Sequence, residues 1–338
     1  MGRALITGGG GFVGSHVVRR LLDRGESVRV LGRRDYPELA AAGAECVRGD
    51  VSDAAAVAAA VENCDTVYHV AALPGVWGRT EDFERTNVLG TQNVIDACHT
   101  HGVGRLVFTS SPSVVFDGRD HLDADESLPY PESYLCDYQR TKAEAERRVL
   151  AADEPGGLRT VAIRPHLVFG PGDNSLTPRV HERARKGRLR IVGDGRNVIS
   201  VSYVENVAAA HLQAANELAG EARCGGRAYF VNEPRPVAVG DWLDQVLAFG
   251  GLPPCRKRIP LGLAYGVGSM LETLWSLAFV RSEPPMTRFL ALQLGKSHTY
   301  STAAAERDFG YRPVVEWDEA IRRTCEAFGG RSGCGADD

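Results

Sequence analysis

No C-x-x-C pair occurs among the eight cysteines of this 338-residue chain, at positions 46, 64, 98, 136, 224, 255, 325 and 334. No group of Cys and His has the spacing of zinc ligands either, so a structural zinc site is excluded and no metal is expected. Several cysteines fall inside apolar or helical stretches, where a thiol behaves as a small hydrophobe. The expectation is reduced thiols in a cytoplasmic protein. Positive charge is not in excess: the net charge is −4 and Lys and Arg are scattered, which argues against nucleic acid as a partner. The N-terminus MGRALITGG has no charged region followed by an apolar core, so no secretory signal is read there. Gly2 does not begin a myristoylation motif, because Ile6 stands where Ser or Thr belongs. Internal repeats and a Pro/Ser-rich linker are also missing. One apolar stretch, 261–280, has the length of a bilayer span, but it contains Glu272 and three glycines in its first half. A buried or partner-covered helix is expected there, with peripheral membrane contact as the alternative.

What remains is ordinary globular composition, 43% hydrophobic and 24% charged. Its pattern alternates. Arg3 to Thr7, Ser27 to Leu31, Glu45 to Val47, Thr66 to Val70, Arg105 to Thr109 and Arg159 to Arg164 read as short apolar strands. Between them Phe12 to Arg24, Ala54 to Val61, Asp82 to His101 and Ser133 to Leu150 read as helices, the second capped by Ser52 or Asp53. Strand–helix alternation of this kind predicts an α/β fold with a doubly wound parallel sheet covered on both faces. From about Pro165 the regularity weakens. Residues 1–165 are expected to form the first lobe, with later segments such as 191–213 returning to it. Residues 166–330 should make a smaller, intertwined C-terminal substrate lobe, and 331–338 a frayed tail.

Between the first strand and the first helix lies Thr7-Gly8-Gly9-Gly10-Gly11-Phe12-Val13-Gly14. Gly8, Gly11 and Gly14 have the spacing G-x-x-G-x-x-G. Such a loop allows a tight turn, close approach of backbone to a pyrophosphate, and a helix N-terminus aimed at its charge. A glycine pattern alone is weak, but its place inside a βαβ unit supports a Rossmann-type dinucleotide site. The second strand runs into Gly32-Arg33-Arg34, and its first acid, Asp35, comes late. Arginine there can hold a 2′-phosphate, which favours NADP(H) over NAD(H) as cofactor. The bland alternative is that Arg33 and Arg34 are solvated surface charges. Asp50 and Val51 are placed to meet the adenine, and Ala71 and Ala72 are small enough for the cofactor to pass.

Tyr138 and Lys142 stand four residues apart on a helix, hence on one face. A free phenol does not ionise at neutral pH, and a neighbouring ammonium favours the phenolate and lowers its pKa. Ser111 follows a strand beside the expected cofactor, where its hydroxyl could donate to a substrate oxygen. A lone Tyr-x-x-x-Lys is common on helices; the glycine loop and Ser111 give this one its meaning. Tyr130 and Tyr134 have no Lys four residues on.

These motifs, with Asn87-Val88-x-Gly90-Thr91 and Arg164-Pro165-x-x-Val168-x-Gly170-Pro171-Gly172, resemble the extended short-chain dehydrogenase/reductases over nearly the whole chain. The runs 109–118, 125–130, 164–174 and 283–288 are similar to the 3β-hydroxysteroid dehydrogenase branch, and within it to bacterial 2-alkyl-3-oxoalkanoate reductases of olefin biosynthesis. The resemblance implies Tyr138 as proton donor, Lys142 as its partner and ribose ligand, Ser111 as anchor of the substrate oxygen, and Asn87 in the proton relay. It adds Pro165 to the cofactor contacts and Ser113 as a second hydroxyl. It also implies a homodimer through the helices of 82–101 and 133–150, within a larger pathway complex. The missing acid after strand two departs from the NAD-using steroid enzymes and suits a reductase of a lipid-like keto acid. Oxidation of a 3β-hydroxy sterol, nucleotide-sugar epimerisation and NADP sensing without chemistry are the competing readings. In the substrate lobe, Trp77 could cover an acyl chain, and Arg79 or His166 could meet a carboxylate.

Overall fold

Strand β1 (Arg3–Thr7) turns Leu5 to one side and Ala4 and Ile6 to the other, and all three are buried. A strand dry on both faces belongs inside a covered sheet. The computed structural model describes residues 2–330 and contains that sheet; the expected frayed tail, 331–338, lies outside the described residues. β2 (Ser27–Gly32), β3 (Glu45–Arg48), β4 (Thr66–His69), β5 (Arg105–Thr109), β6 (Arg159–Pro165) and β7 (Arg227–Val231) complete it. Their order is β7-β6-β5-β4-β1-β2-β3, and every pairing is parallel. The order reverses between β1 and β4, where their carboxyl ends open the crevice that holds ligands in such sheets.

Five helices cover the faces: α1 (Phe12–Asp23), α2 (Ala54–Val61), α3 (Gly90–His101), α4 (Asp137–Ala151) and α5 (Val204–Ala219). α1 and α5 bury Val17, Val18, Leu21 and Leu212 against Ile6, Val30 and Val107. α2, α3 and α4 bury Val57, Val94, Ile95 and Val149 against Leu5, Val67 and Phe108. Asp53, not Ser52, caps α2, accepting from the backbone N–H of Ala55 at 2.9 Å and Ala56 at 3.2 Å. α3 ends at Gly102, whose φ of +66° suits a residue without Cβ.

Three boundaries depart from the sequence reading. α4 starts at Asp137 rather than Ser133, because Gln139 accepts from the Leu135 N–H and holds the preceding segment as a loop; Tyr138 therefore lies in the first turn. The helix expected over 82–101 is interrupted by a π-helical segment, Glu84–Leu89. The return to the first lobe is made by α5 and β7. Residues 191–203, expected to return as well, pair outside the seven-stranded sheet: Ile191–Val192 with Arg258–Ile259, Ser202–Tyr203 with Val168–Phe169, and Val198–Ile199 with Val237–Ala238 and with His298–Tyr300, whose other neighbour is His121–Ala124. Two-residue strands carry too little pattern to reveal such distant partners.

α6 (Leu261–Leu277) is only half covered. Ala264 and Gly268 face inward, and a Cβ on Gly268 would stand 2.6 Å from the Thr287 backbone. Leu263, Met270 and Leu274 form an exposed outer stripe. Among the described residues no helix is long and apolar enough to cross a membrane.

α4 is locked onto β6 by a buried ion pair. Glu146 is fully buried and Arg164 is 3% exposed. Arg164 donates to both Glu146 oxygens, at 2.9 and 2.6 Å, and Tyr130 Oη donates to the same carboxylate at 2.6 Å. Burial alone would raise the Glu146 pKa, but Arg164 and the hydrogen bonds outweigh it and hold it below the ordinary value. Removing one member of such a pair strands the other charge. Glu146→Ala is therefore expected to cost about 3–5 kcal/mol of unfolding free energy in urea titrations. A loss under about 1 kcal/mol, the range of an exposed pair, would show that the lock is not where the helix is held.

Candidate active site

The glycine loop is shaped by what cannot be placed there. Gly8 has φ +70°, and a Cβ on it would lie 2.8 Å from the Ala71 backbone. A Cβ on Gly14 would lie 2.3 Å from the Gly8 carbonyl oxygen, so α1 meets the loop only because position 14 has no side chain. Gly11 is the extended residue before α1, and the first turn, Phe12-Val13-Gly14, carries no acid. Gly8, Gly11 and Gly14 thus leave bare backbone at a helix N-terminus over the sheet's switch point, an arrangement that fits a dinucleotide pyrophosphate. Arg33 and Arg34 follow β2 and are exposed, and neither forms an ion pair among the described residues. Asp50 accepts from Ser52 N and Oγ. Burial raises its pKa, but these bonds and the charges of Arg33 and Arg85 bring it below the ordinary value. Val51 is buried against Gly90, and its carbonyl accepts from Asn93. Ala71 and Ala72 are half-buried beyond β4, and Pro165 closes β6.

Lys142 is 2% exposed. Its Nζ donates to the Thr109 carbonyl at 2.6 Å and lies 3.9 Å from the centre of the Phe108 ring. It forms no ion pair among the described residues, and burial brings its pKa down to about 7, against a raising influence from Glu146. Tyr138, one turn earlier, is half-buried. The sequence argument expected Lys142 to lower the phenol's pKa. Instead burial pushes it up to about 12, outweighing the hydrogen bond from Ser111, which acts the other way. The phenol thus keeps its proton at neutral pH, the state a proton donor needs. Ser111 caps the short turn Pro112–Val115, its Oγ accepting from Ser113 N at 3.2 Å.

Two residues that sequence reasoning missed hold this group in place. Gln139 donates to the Ser113 carbonyl at 2.7 Å and so ties the Ser111 turn to the first turn of α4. His69, at the end of β4, is buried between Thr7 Oγ1 (2.7 Å) and Thr91 Oγ1 (2.9 Å). Thr91 spends its proton on the Asn87 carbonyl, so His69 donates through Nε2 and accepts from Thr7 at Nδ1. Burial, helped by Lys142, keeps the imidazole neutral, with a pKa of about 3. Asn87 lies in the π-helical segment. Its Oδ1 accepts from Leu73 N at 2.7 Å and its Nδ2 donates to Thr141 at 3.1 Å, so it acts on the backbone after β4 and on α4. Tyr36 was also missed: its ring lies on Gly10 and Gly32, so that a Cβ at either position would overlap it.

Beside α4 opens a cavity of about 890 Å³; it reaches Cys136 and Asp137, the two residues before Tyr138, while Tyr138, Lys142 and Ser111 are not among its lining residues. Trp77 and Arg79 line it, as do Phe83, Leu135, Leu277 and Val280. His166 and Ser113 do not. The His166 ring is spent on His298, with Nε2 2.6 Å from Nδ1, and Ser113 Oγ is buried without a partner.

The model of the 3-beta hydroxysteroid dehydrogenase/isomerase family matches residues 5–258. The chain belongs to that family. It is 47% identical over 324 residues, 95% of this chain and 98% of the relative, to a 2-alkyl-3-oxoalkanoate reductase of Stenotrophomonas maltophilia. It is 35% identical, over 96% of this chain and 91% of the relative, to the decarboxylating sterol-4-alpha-carboxylate 3-dehydrogenase of Mus musculus. Among solved structures, gox2253 superposes with a TM-score of 0.78 at 27% identity over 97% of both chains. A UDP-glucose 4-epimerase of Thermotoga maritima shares the fold, with a TM-score of 0.75 at 21% identity over 97% of this chain and 98% of that one. The protein is an NAD(P)-dependent oxidoreductase with a Rossmann-type fold.

If Tyr138 is the proton donor, Tyr138→Phe should lose no more than about tenfold in cofactor affinity, the worth of one hydrogen bond to the ribose, and about 10²-fold or more in kcat. Fluorescence titration with the dinucleotide and steady-state kinetics measure the two. Unchanged turnover would remove Tyr138 from the chemistry.

Proposed function

We propose that the protein reduces the 3-oxo group of a long-chain 2-alkyl-3-oxoalkanoic acid to the 3-hydroxy acid, reversibly, with NADPH. The observation that carries this reading is 47% identity over nearly the whole of both chains to a reductase of that name, in a chain whose proton-holding Tyr138 directly follows Cys136 and Asp137 at the wall of a cavity with mixed polar and apolar lining. The glycine loop would take the pyrophosphate, Asp50 and Val51 the adenine end, and Ala71, Ala72 and Pro165 the passage toward the cavity. Tyr138 and Lys142 would hold the nicotinamide ribose. When bound, the cofactor supplies the hydride. Tyr138 gives its phenolic proton to the oxygen at C3 while Ser111 donates a hydrogen bond to it. Lys142 can carry a charge near neutrality and so can stabilise the phenolate that remains. Arg33 and Arg34, unpaired at the end of β2, are available for a 2′-phosphate.

A second reading, oxidation of a sterol 4-carboxylate at C3, draws on the mouse relative. Both substrates place an oxygen function two carbons from a carboxylate, so the same polar groups could serve either.

The test runs the reaction backward, because β-keto acids decarboxylate. Purified protein is offered a long-chain 2-alkyl-3-hydroxy acid with NADP⁺ or NAD⁺, and reduced cofactor is followed by absorbance. Rapid turnover with NADP⁺ and poor turnover with NAD⁺ is expected. The Arg33→Ser/Arg34→Ser variant should lose about tenfold or more in NADP⁺ affinity, the worth of hydrogen bonds to a charged group. NADH formation on a 3β-hydroxy sterol acid, with none on the branched acid, would overturn the proposal in favour of the sterol reading.

A further inference from the structure

The cavity carries three arginines, and two of them are already committed. Arg79 pairs with Glu81 at 3.4 Å. Arg288 donates to Glu272 through Nε, and its backbone N–H donates to the same carboxylate at 2.7 Å. Arg281 lines the same cavity, is exposed, and forms no ion pair among the described residues. Of the two acids in the lining, Glu272 is neutralised by Arg288 and Asp137 by Arg140, so the cavity's uncompensated charge is positive.

The chain is bent to bring Arg281 there. At the end of α6 the Val280 N–H donates to the Trp275 carbonyl at 2.9 Å and the Phe279 N–H to the Ser276 carbonyl at 3.2 Å. This helix-closing turn puts its left-handed residue where glycine is usual. Here that residue is Phe279, with φ +52°. A left-handed backbone is unfavourable for an aromatic residue, and its side chain, 90% exposed, gains nothing from burial in return. The reversed chain is then caught from the other side of the cavity, where Trp77 Nε1 donates to the Val280 carbonyl at 3.1 Å. Strain of this kind persists where the surroundings over-determine a conformation, and it gathers at ligand clamps. Trp77 thus latches the segment that presents Arg281, in addition to lining the cavity.

We propose that Arg281 is the carboxylate anchor of the substrate cavity, with the apolar walls of Trp77, Phe83, Leu135 and Leu277 taking the alkyl chains. The assignment rests on the branched-acid reading above, and it moves the carboxylate role from Arg79 and His166 to a residue that sequence reasoning did not single out. Guanidinium matches a carboxylate with two parallel hydrogen bonds, and an arginine with no acid of its own breaks no ion pair to make them.

The test is binding, free of turnover. Calorimetry measures the affinity of the full chain for an unreactive long-chain 2-alkyl carboxylic acid and for its primary amide. Wild type, Arg281→Gln and Arg79→Gln are compared, with thermal unfolding as the fold control. Wild type should prefer the acid. Arg281→Gln should weaken acid binding about tenfold or more and leave the amide unchanged, while Arg79→Gln should alter neither. Equal weakening of acid and amide in Arg281→Gln would make it a packing residue and overturn the assignment. So would loss of acid binding in Arg79→Gln alone, or a wild type that binds acid and amide alike. If wild type oxidises the branched hydroxy acid and Arg281→Gln still binds the acid normally, only this inference fails. If wild type neither binds the acid nor turns over the hydroxy acid, the proposed function fails with it.

Discussion

One face of α4 carries three ionisable groups, Tyr138, Lys142 and Glu146, at successive turns, and the proposed catalytic group exists only if that face cannot rotate. Glu146 provides the constraint. Its carboxylate is held in the interior by Nε and Nη2 of Arg164 on β6 and by Tyr130. One turn earlier, the same geometry drives Lys142 into a place with a backbone carbonyl and an aromatic ring but, among the described residues, no counter-charge within ion-pairing distance. An ammonium so placed is weakly held and can answer to charge that appears beside it. The phenol one turn earlier stays protonated. The pair is therefore set in opposite senses by a common cause, burial: the acid is kept neutral and the base is brought close to neutrality.

The remaining scaffold serves that face. Thr7 at the mouth of the glycine loop, His69 at the end of β4 and Thr91 on α3 share one chain of hydrogen bonds, and its last link is the Asn87 carbonyl. Asn87 passes the constraint to the Leu73 backbone and to Thr141 on α4. A π-helical segment puts it there; such segments cost regular helix geometry and recur at functional sites. The loop expected to cradle a cofactor and the helix expected to move a proton are thus parts of one rigid network.

Legibility in the sequence followed the range of the interactions. The glycine loop, the strands around it and the Tyr138–Lys142 spacing are local patterns, and each occupies the place its residues suggested. Gln139 could not be read, because its partner lies 26 residues away and glutamine on a helix is ordinary. His69 was invisible for the same reason, with Thr7 62 residues away. The Trp77–Val280 contact spans 203 residues, so the loop after β4 gave no hint that it fastens the segment presenting Arg281. The direction of the Tyr138 shift was misjudged for a different reason. Proximity to Lys142 was legible, but how dry the site is depends on tertiary packing, and desolvation outweighs the neighbour.

The most direct test of the account is the titration of Lys142 in the ligand-free protein. The chain has only four lysines, at 142, 186, 257 and 296, so ¹³C-labelled lysine gives few side-chain signals, and Lys142→Arg assigns the one that matters. The account predicts a midpoint near 7 for Lys142. A midpoint at the ordinary lysine value, about 10.4, would mean that the ammonium is solvated or paired and that burial does not tune the site.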